Sequence, residues 1–90
     1  MNAPLAVPSP SHLLTLPESL DASVAATLAE TFVRCRGEDV IVDASFVRRL
    51  GENCLQVLRS AERTWTADRR LLTLVNGQAP FVEDLRRFAV

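Results

Sequence analysis

Short aliphatic runs alternate with longer helical stripes along this chain. The first run, His12 to Leu16 (HLLTL), places Leu14 and Leu16 on one side by two-residue alternation, which predicts a short strand. Pro17 ends it. Ala25, Leu28, Phe32 and Cys35 then recur at intervals of three and four, the stripe of an amphipathic helix. Asp21 stands where an N-cap belongs. Arg34 and Arg36 sit near the C-terminal end, where the helix dipole favours cations, and Gly37 is a natural terminator.

The run Asp39 to Val42 (DVIV) is continuous and rich in β-branched residues, which predicts a strand buried on both faces of a largely parallel sheet. A loop from Asp43 to Gly51 leads into a second helix, from about Glu52 to Ala67. There Cys54, Leu58, Ala61 and Trp65 form a single apolar face, and Arg59, Glu62 and Arg63 lie off it, toward solvent. Leu71 to Val75 (LLTLV) predicts another buried strand, punctuated by Asn76-Gly77. Pro80 suits the first turn of a last helix whose inner face is Phe81, Leu85 and Phe88.

This β-α-β-α-β-α order predicts the α/β class, with a mixed, mostly parallel sheet and helices packed mainly on one side. Three of the five prolines, Pro4, Pro8 and Pro10, fall in residues 1–11. That stretch reads as a flexible Pro-rich arm, with at best a short strand at Leu5–Val7, ahead of a single domain over residues 12–90.

Composition narrows the function classes. Apolar residues make up 48% and charged residues 23%, which is globular rather than disordered. A net charge of −1, with both signs interspersed, offers no basic stripe to a phosphate backbone, so no nucleic-acid partner is expected. No apolar run approaches the length of a bilayer span, and residues 1–11 lack the features of a secretory signal, so membrane insertion is not expected. Cys35 and Cys54 both fall on apolar helical faces and read as buried free thiols, which fits a reducing cytoplasm.

Candidate chemistry is sparse. The lone histidine, His12, completes neither a zinc site with two separated cysteines nor a hydrolytic elbow. No glycine-rich phosphate cradle exists, so no cofactor is expected. Asp39 and Asp43 flank a strand and read as solvated carboxylates rather than cation ligands. Trp65 reads as core or core edge. One enzymatic alternative remains: a small thiol-dependent enzyme using Cys54.

The segment Val40 to Leu58, VIVDASFVRRLGENCLQVL, resembles the signature of STAS domains, the anti-sigma-factor-antagonist family. In that family a buried strand ends in an Asp-x-Ser-like turn, followed by hydrophobic residues and a Ser-rich helix start. Asp43, Ser45, Val47, Leu50, Leu55 and Leu58 occupy the matching positions. The upstream LTLPESLDASVAATL and the downstream LLTLVNGQAPFVEDLRRFAV resemble the flanking family elements, with Glu18 or Ser19 where a glycine is usual. The likeness extends over about Leu13 to Val90. The short forms it most resembles belong to bacterial chemotaxis-type signalling clusters or serve as the STAS subunit of phospholipid ABC transporters.

The resemblance implies a non-catalytic, cytoplasmic signal-transduction module. Its implied partner is a regulatory kinase, an anti-sigma factor, a chemotaxis component or a transporter ATPase. The implied docking residues are Ser45, Gly51, Glu52, Asn53 and Gln56. Glu52 stands where regulated members carry their phosphoacceptor Ser or Thr, and a Ser kinase does not act on a carboxylate. A fixed negative charge at an exposed helix N-terminus is then expected in place of a switch. A subunit whose fold is completed by its partner is a third possibility.

Overall fold

The computed structural model describes residues 12–88. The proposed arm over residues 1–11, with its Leu5–Val7 strand, lies outside them. The elements are β1 (His12–Thr15), β2 (Ser19–Leu20), α1 (Ala22–Cys35), β3 (Val40–Asp43), β4 (Arg49–Leu50), α2 (Glu52–Ala67), β5 (Leu72–Val75) and α3 (Ala79–Phe88). The main sheet has the order β1-β3-β5 and both of its pairs are parallel. A second, two-stranded parallel sheet joins β2 to β4. The α/β class and the parallel sheet expected from the sequence are therefore present.

Local chemistry explains the element boundaries. The Asp21 carboxylate accepts from the Ser23 N–H at the start of α1, satisfying one of the orphan donors of the first turn. The Ser23 hydroxyl first, and its N–H after it, hold the Asp21 carboxyl below its ordinary range. Gly37 adopts φ +96°, a conformation that disfavours any side chain, and so turns the chain from α1 toward β3. The Leu71 N–H ahead of β5 donates to Asp39 Oδ1 at 3.0 Å.

One core joins the inner faces of these elements. Leu28, Phe32 and Cys35 of α1, Val40 and Val42 of β3, Cys54, Leu55, Ala61 and Trp65 of α2 and Phe81 of α3 are all buried. Phe32 meets Trp65 edge to face, with centroids 5.8 Å apart. The Trp65 Nε1–H donates to the Glu38 carbonyl at 2.7 Å, satisfying the polar end of a buried indole. Arg36 grips Asp68 through two nitrogens, tying the end of α1 to the end of α2.

Three sequence expectations need correction. First, β3 is buried on one face only, and β5 is at most half-buried on either. Ile41 is 36% exposed, and Leu13 beside it and Leu71 before β5 are more exposed still. The helices pack on the Val40/Val42 side, and a continuous aliphatic run does not reveal whether a second layer exists to cover its other face. Second, Leu58 is only half-buried although it lies at the centre of the apolar stripe of α2, whereas Leu55 is fully buried. Third, the segment Asp43 to Gly51 is not all loop, because Arg49 and Leu50 form β4.

Candidate functional site

Parallel strands all end on one side of the sheet, and loops gathered there form the crevice where open α/β sheets bind their ligands. Here a crevice of about 820 Å³ lies among the segments that follow β1, β3 and β5. Leu16–Glu18, Ser45–Arg48 and the Gln78 and Pro80 side chains line it.

The middle segment is built rigidly from its sequence. The Ala44 N–H donates to the Val75 carbonyl at 2.9 Å and the Val47 N–H to the Ala44 carbonyl at 3.1 Å. Ala44 and Val47 are both buried, so they anchor a tight turn with Ser45 and Phe46 at its tip. Asp43 Oδ1 accepts from the Ser45 N–H at 3.0 Å and from Asn76 Nδ2 at 3.2 Å, pinning the turn to the segment after β5. The Ser45 N–H first, then the Asn76 amide and the Ser45 hydroxyl, hold the Asp43 carboxyl below its ordinary range. The Arg48 N–H donates to the Glu18 carbonyl, and the two side chains pair at 3.0 Å at the surface. Leu20 and Leu50 are buried beneath, and the Leu50 N–H donates to Asp84 of α3.

Phe46 is 63% exposed at the tip of this pinned turn. A ring nearly two-thirds exposed adds little to the fold by burial, and covering the rest would recover about 1–2 kcal/mol. The crevice beside it holds Thr15, Ser45, Gln78 and the paired Glu18 and Arg48 as its polar groups, with no His or Cys among its lining residues. That set can hydrogen-bond and pack against a ligand. The carboxylate that meets the Ser45 hydroxyl, Asp43, is held below its ordinary range by its bonds, which makes it a weak base for activating a nucleophile.

The docking residues expected from the sequence are distributed over two neighbouring surfaces. Ser45 lines the crevice, half-buried. Asn53 and Gln56 are exposed and line a separate groove of about 500 Å³ between α1 and α2, floored by Ala25, Ala29 and Ala61. Glu52 is exposed at the first position of α2. Its N-cap, Gly51, has no side chain with which to cap the helix, so Glu52 is the first-turn charge facing the positive helix end. Gly51 itself has a structural task. Its N–H donates to the Leu20 carbonyl at 2.8 Å, and a Cβ there would come within 3.1 Å of that oxygen.

Three further residues are placed unambiguously. Cys54 is fully buried and its thiol lies 3.2 Å from the Asp21 carbonyl. Burial, and after it the Asp21 charge, pushes the thiol pKa up, which disfavours the thiolate that a nucleophile needs. Asp39 and Asp43 are backbone acceptors rather than merely solvated carboxylates. No group of three His, Cys, Asp or Glu side chains suited to a metal ion occurs among the described residues.

No family model, curated protein or solved structure matches this chain. Its functional reading rests on its own sequence and geometry. Sequence reasoning passed over Phe46, whose signal is an aromatic ring between the two apolar anchors Ala44 and Val47, flanked by a serine and followed by two arginines.

Proposed function

We propose that this chain is a non-catalytic, cytoplasmic interaction module of the STAS, anti-sigma-factor-antagonist type, which docks on a signalling protein such as a regulatory kinase. The observation that carries the reading is Phe46, exposed on a turn pinned at both ends beside a crevice at the carboxyl ends of the strands. An aromatic anchor pre-organised in this way loses little conformational freedom on binding, which is the property of an interface hot spot. The contact continues from Ser45 and Phe46 onto the first turns of α2 through Glu52, Asn53 and Gln56. Glu52 supplies a constant negative charge at the helix start, so docking does not await phosphorylation there. No helix among the described residues is long and apolar enough to cross a membrane, which is compatible with a cytoplasmic site of action.

The test is affinity capture from the native cytoplasm with the unmodified chain, Phe46→Ala and Glu52→Lys, followed by quantitation of each captured protein. Both side chains are exposed, so both variants should keep the parent stability within about 0.5 kcal/mol by urea unfolding. A specific partner should be lost at least ten-fold with Phe46→Ala and weakened with Glu52→Lys, at roughly 1.4 kcal/mol per ten-fold. Retention of every partner by both folded variants would overturn the proposal.

A further inference from the structure

The main sheet stops at β5 before its core-facing side is covered. Leu74 occupies the same cross-strand row as Val42, yet Val42 is 2% exposed and Leu74 is 44% exposed. Leu58 of α2 is half-buried because it faces the same gap. Leu74, Leu58, Val82 and Leu85 line a groove of about 640 Å³ between α2, β5 and α3.

The backbone beside this groove is a strand edge. The Leu71 and Val75 carbonyls point toward β3, accepting from the Val40 and Ala44 N–H groups. Alternation along a strand therefore directs the N–H and C=O groups of Leu72 and Leu74 outward. The sheet order ends there, with no further strand among the described residues.

We propose that this edge receives an extended segment of another protein as a fourth strand, with apolar residues alternating with acidic ones. The strand would bond to Leu72 and Leu74, and its apolar side chains would enter the groove. Charge selects the acidic partner. The groove is lined by Arg59, Arg63 and Arg86 against the single carboxylate of Glu62, and Arg59 already makes an interaction within the chain. Arg63 and Arg86 are the exposed cations that remain for a ligand. A second copy of the chain is disfavoured by the same charges, because a two-fold contact through this edge brings the arginine-rich rim against itself. The surface is separate from the Phe46 crevice and does not depend on it.

The experiment titrates the full chain into two fluorescein-labelled synthetic decapeptides, one alternating Val with Glu and the other Val with Lys, and reads anisotropy. The Glu peptide should bind at least about ten-fold tighter, and the double variant Arg63→Glu/Arg86→Glu should reverse the order. Phe46→Ala should leave both affinities unchanged. In amide-resolved NMR, the Leu72 and Leu74 N–H groups should become protected when the Glu peptide is bound. Equal affinity for the two peptides, or a preference indifferent to the double variant, overturns the proposal. So does absence of binding up to about 1 mM, the weak end of specific association. Sedimentation showing a dimer that Leu74→Glu abolishes would assign the edge to a second copy, and would equally overturn it.

Discussion

Trp65 offers the sharpest test of the packing. It is the chain's single tryptophan, buried, edge-on to Phe32 and bonded to the Glu38 carbonyl. Trp65→Ala removes the ring pair and leaves a cavity between α1 and α2, which should cost about 3–5 kcal/mol. A 90-residue domain holds only about 5–13 kcal/mol in total, so this variant should lose between about a quarter and all of its stability. Trp65→Phe keeps one ring against Phe32 but loses the N–H donor and part of the buried area. Glu38 is exposed, so water can take over at its carbonyl, and the lost bond costs only about 0.5–1.5 kcal/mol. Adding roughly 1 kcal/mol for lost apolar burial gives about 1.5–2.5 kcal/mol in all. Urea unfolding followed by far-ultraviolet circular dichroism measures both variants, with a slope of about 1 kcal/mol per molar expected for so small a chain. The midpoint should fall by about 1.5–2.5 M for Trp65→Phe. A midpoint unmoved by Trp65→Phe would mean that the indole is neither buried nor bonded, and the α1–α2 packing described here would be wrong.

Leu55→Ala should cost about 2–5 kcal/mol and Leu58→Ala only about 1–2 kcal/mol, because Leu58 faces the open groove; equal losses by urea titration would place the groove's margin incorrectly. Asp21, Asp43 and Asp68 all have carboxyls held below their ordinary value of 3.8, by the side-chain bond of Ser23, the Ser45 N–H and the side-chain bond of Arg36 respectively. A depressed folded pKa contributes stability that is fully present above the unfolded value and lost as pH falls through the folded one. The urea midpoint should therefore be steady with respect to these groups down to about pH 5 and drop below about pH 4, less steeply in Asp68→Asn; an unchanged acid limb in that variant would refute the Arg36 pairing. Cys35 and Cys54, buried and with raised pKa values, should react with iodoacetamide only on unfolding, and rapid native labelling of Cys54 would favour the thiol-enzyme reading.

Where the sequence carries a repeating signal, the structure follows it. The α2 stripe and the Gly51-Glu52 junction locate a helix over Glu52–Ala67, and Asp21 and Gly37 frame α1, because caps and periodicity are local properties. The β2–β4 pair was illegible since two residues hold no period, and its existence depends on Leu20 meeting Leu50 across the chain. Ile41 and Leu58 were misplaced for a shared reason. Both belong to apolar patterns, but burial depends on what lies opposite: open space beyond the sheet for Ile41 and the uncovered groove beside β5 for Leu58. The candidate site was legible in part. Ser45 and Glu52 mark its ends, whereas the exposure of Phe46 follows only from Ala44 and Val47 turning inward beside it.

The most direct test of the docking proposal is amide hydrogen exchange on the chain alone and in complex with the protein it captures. Slowed exchange concentrated over residues 45–50 and 52–56, and relieved by Phe46→Ala, is the predicted result. Unchanged exchange over both segments in a saturated complex would contradict it.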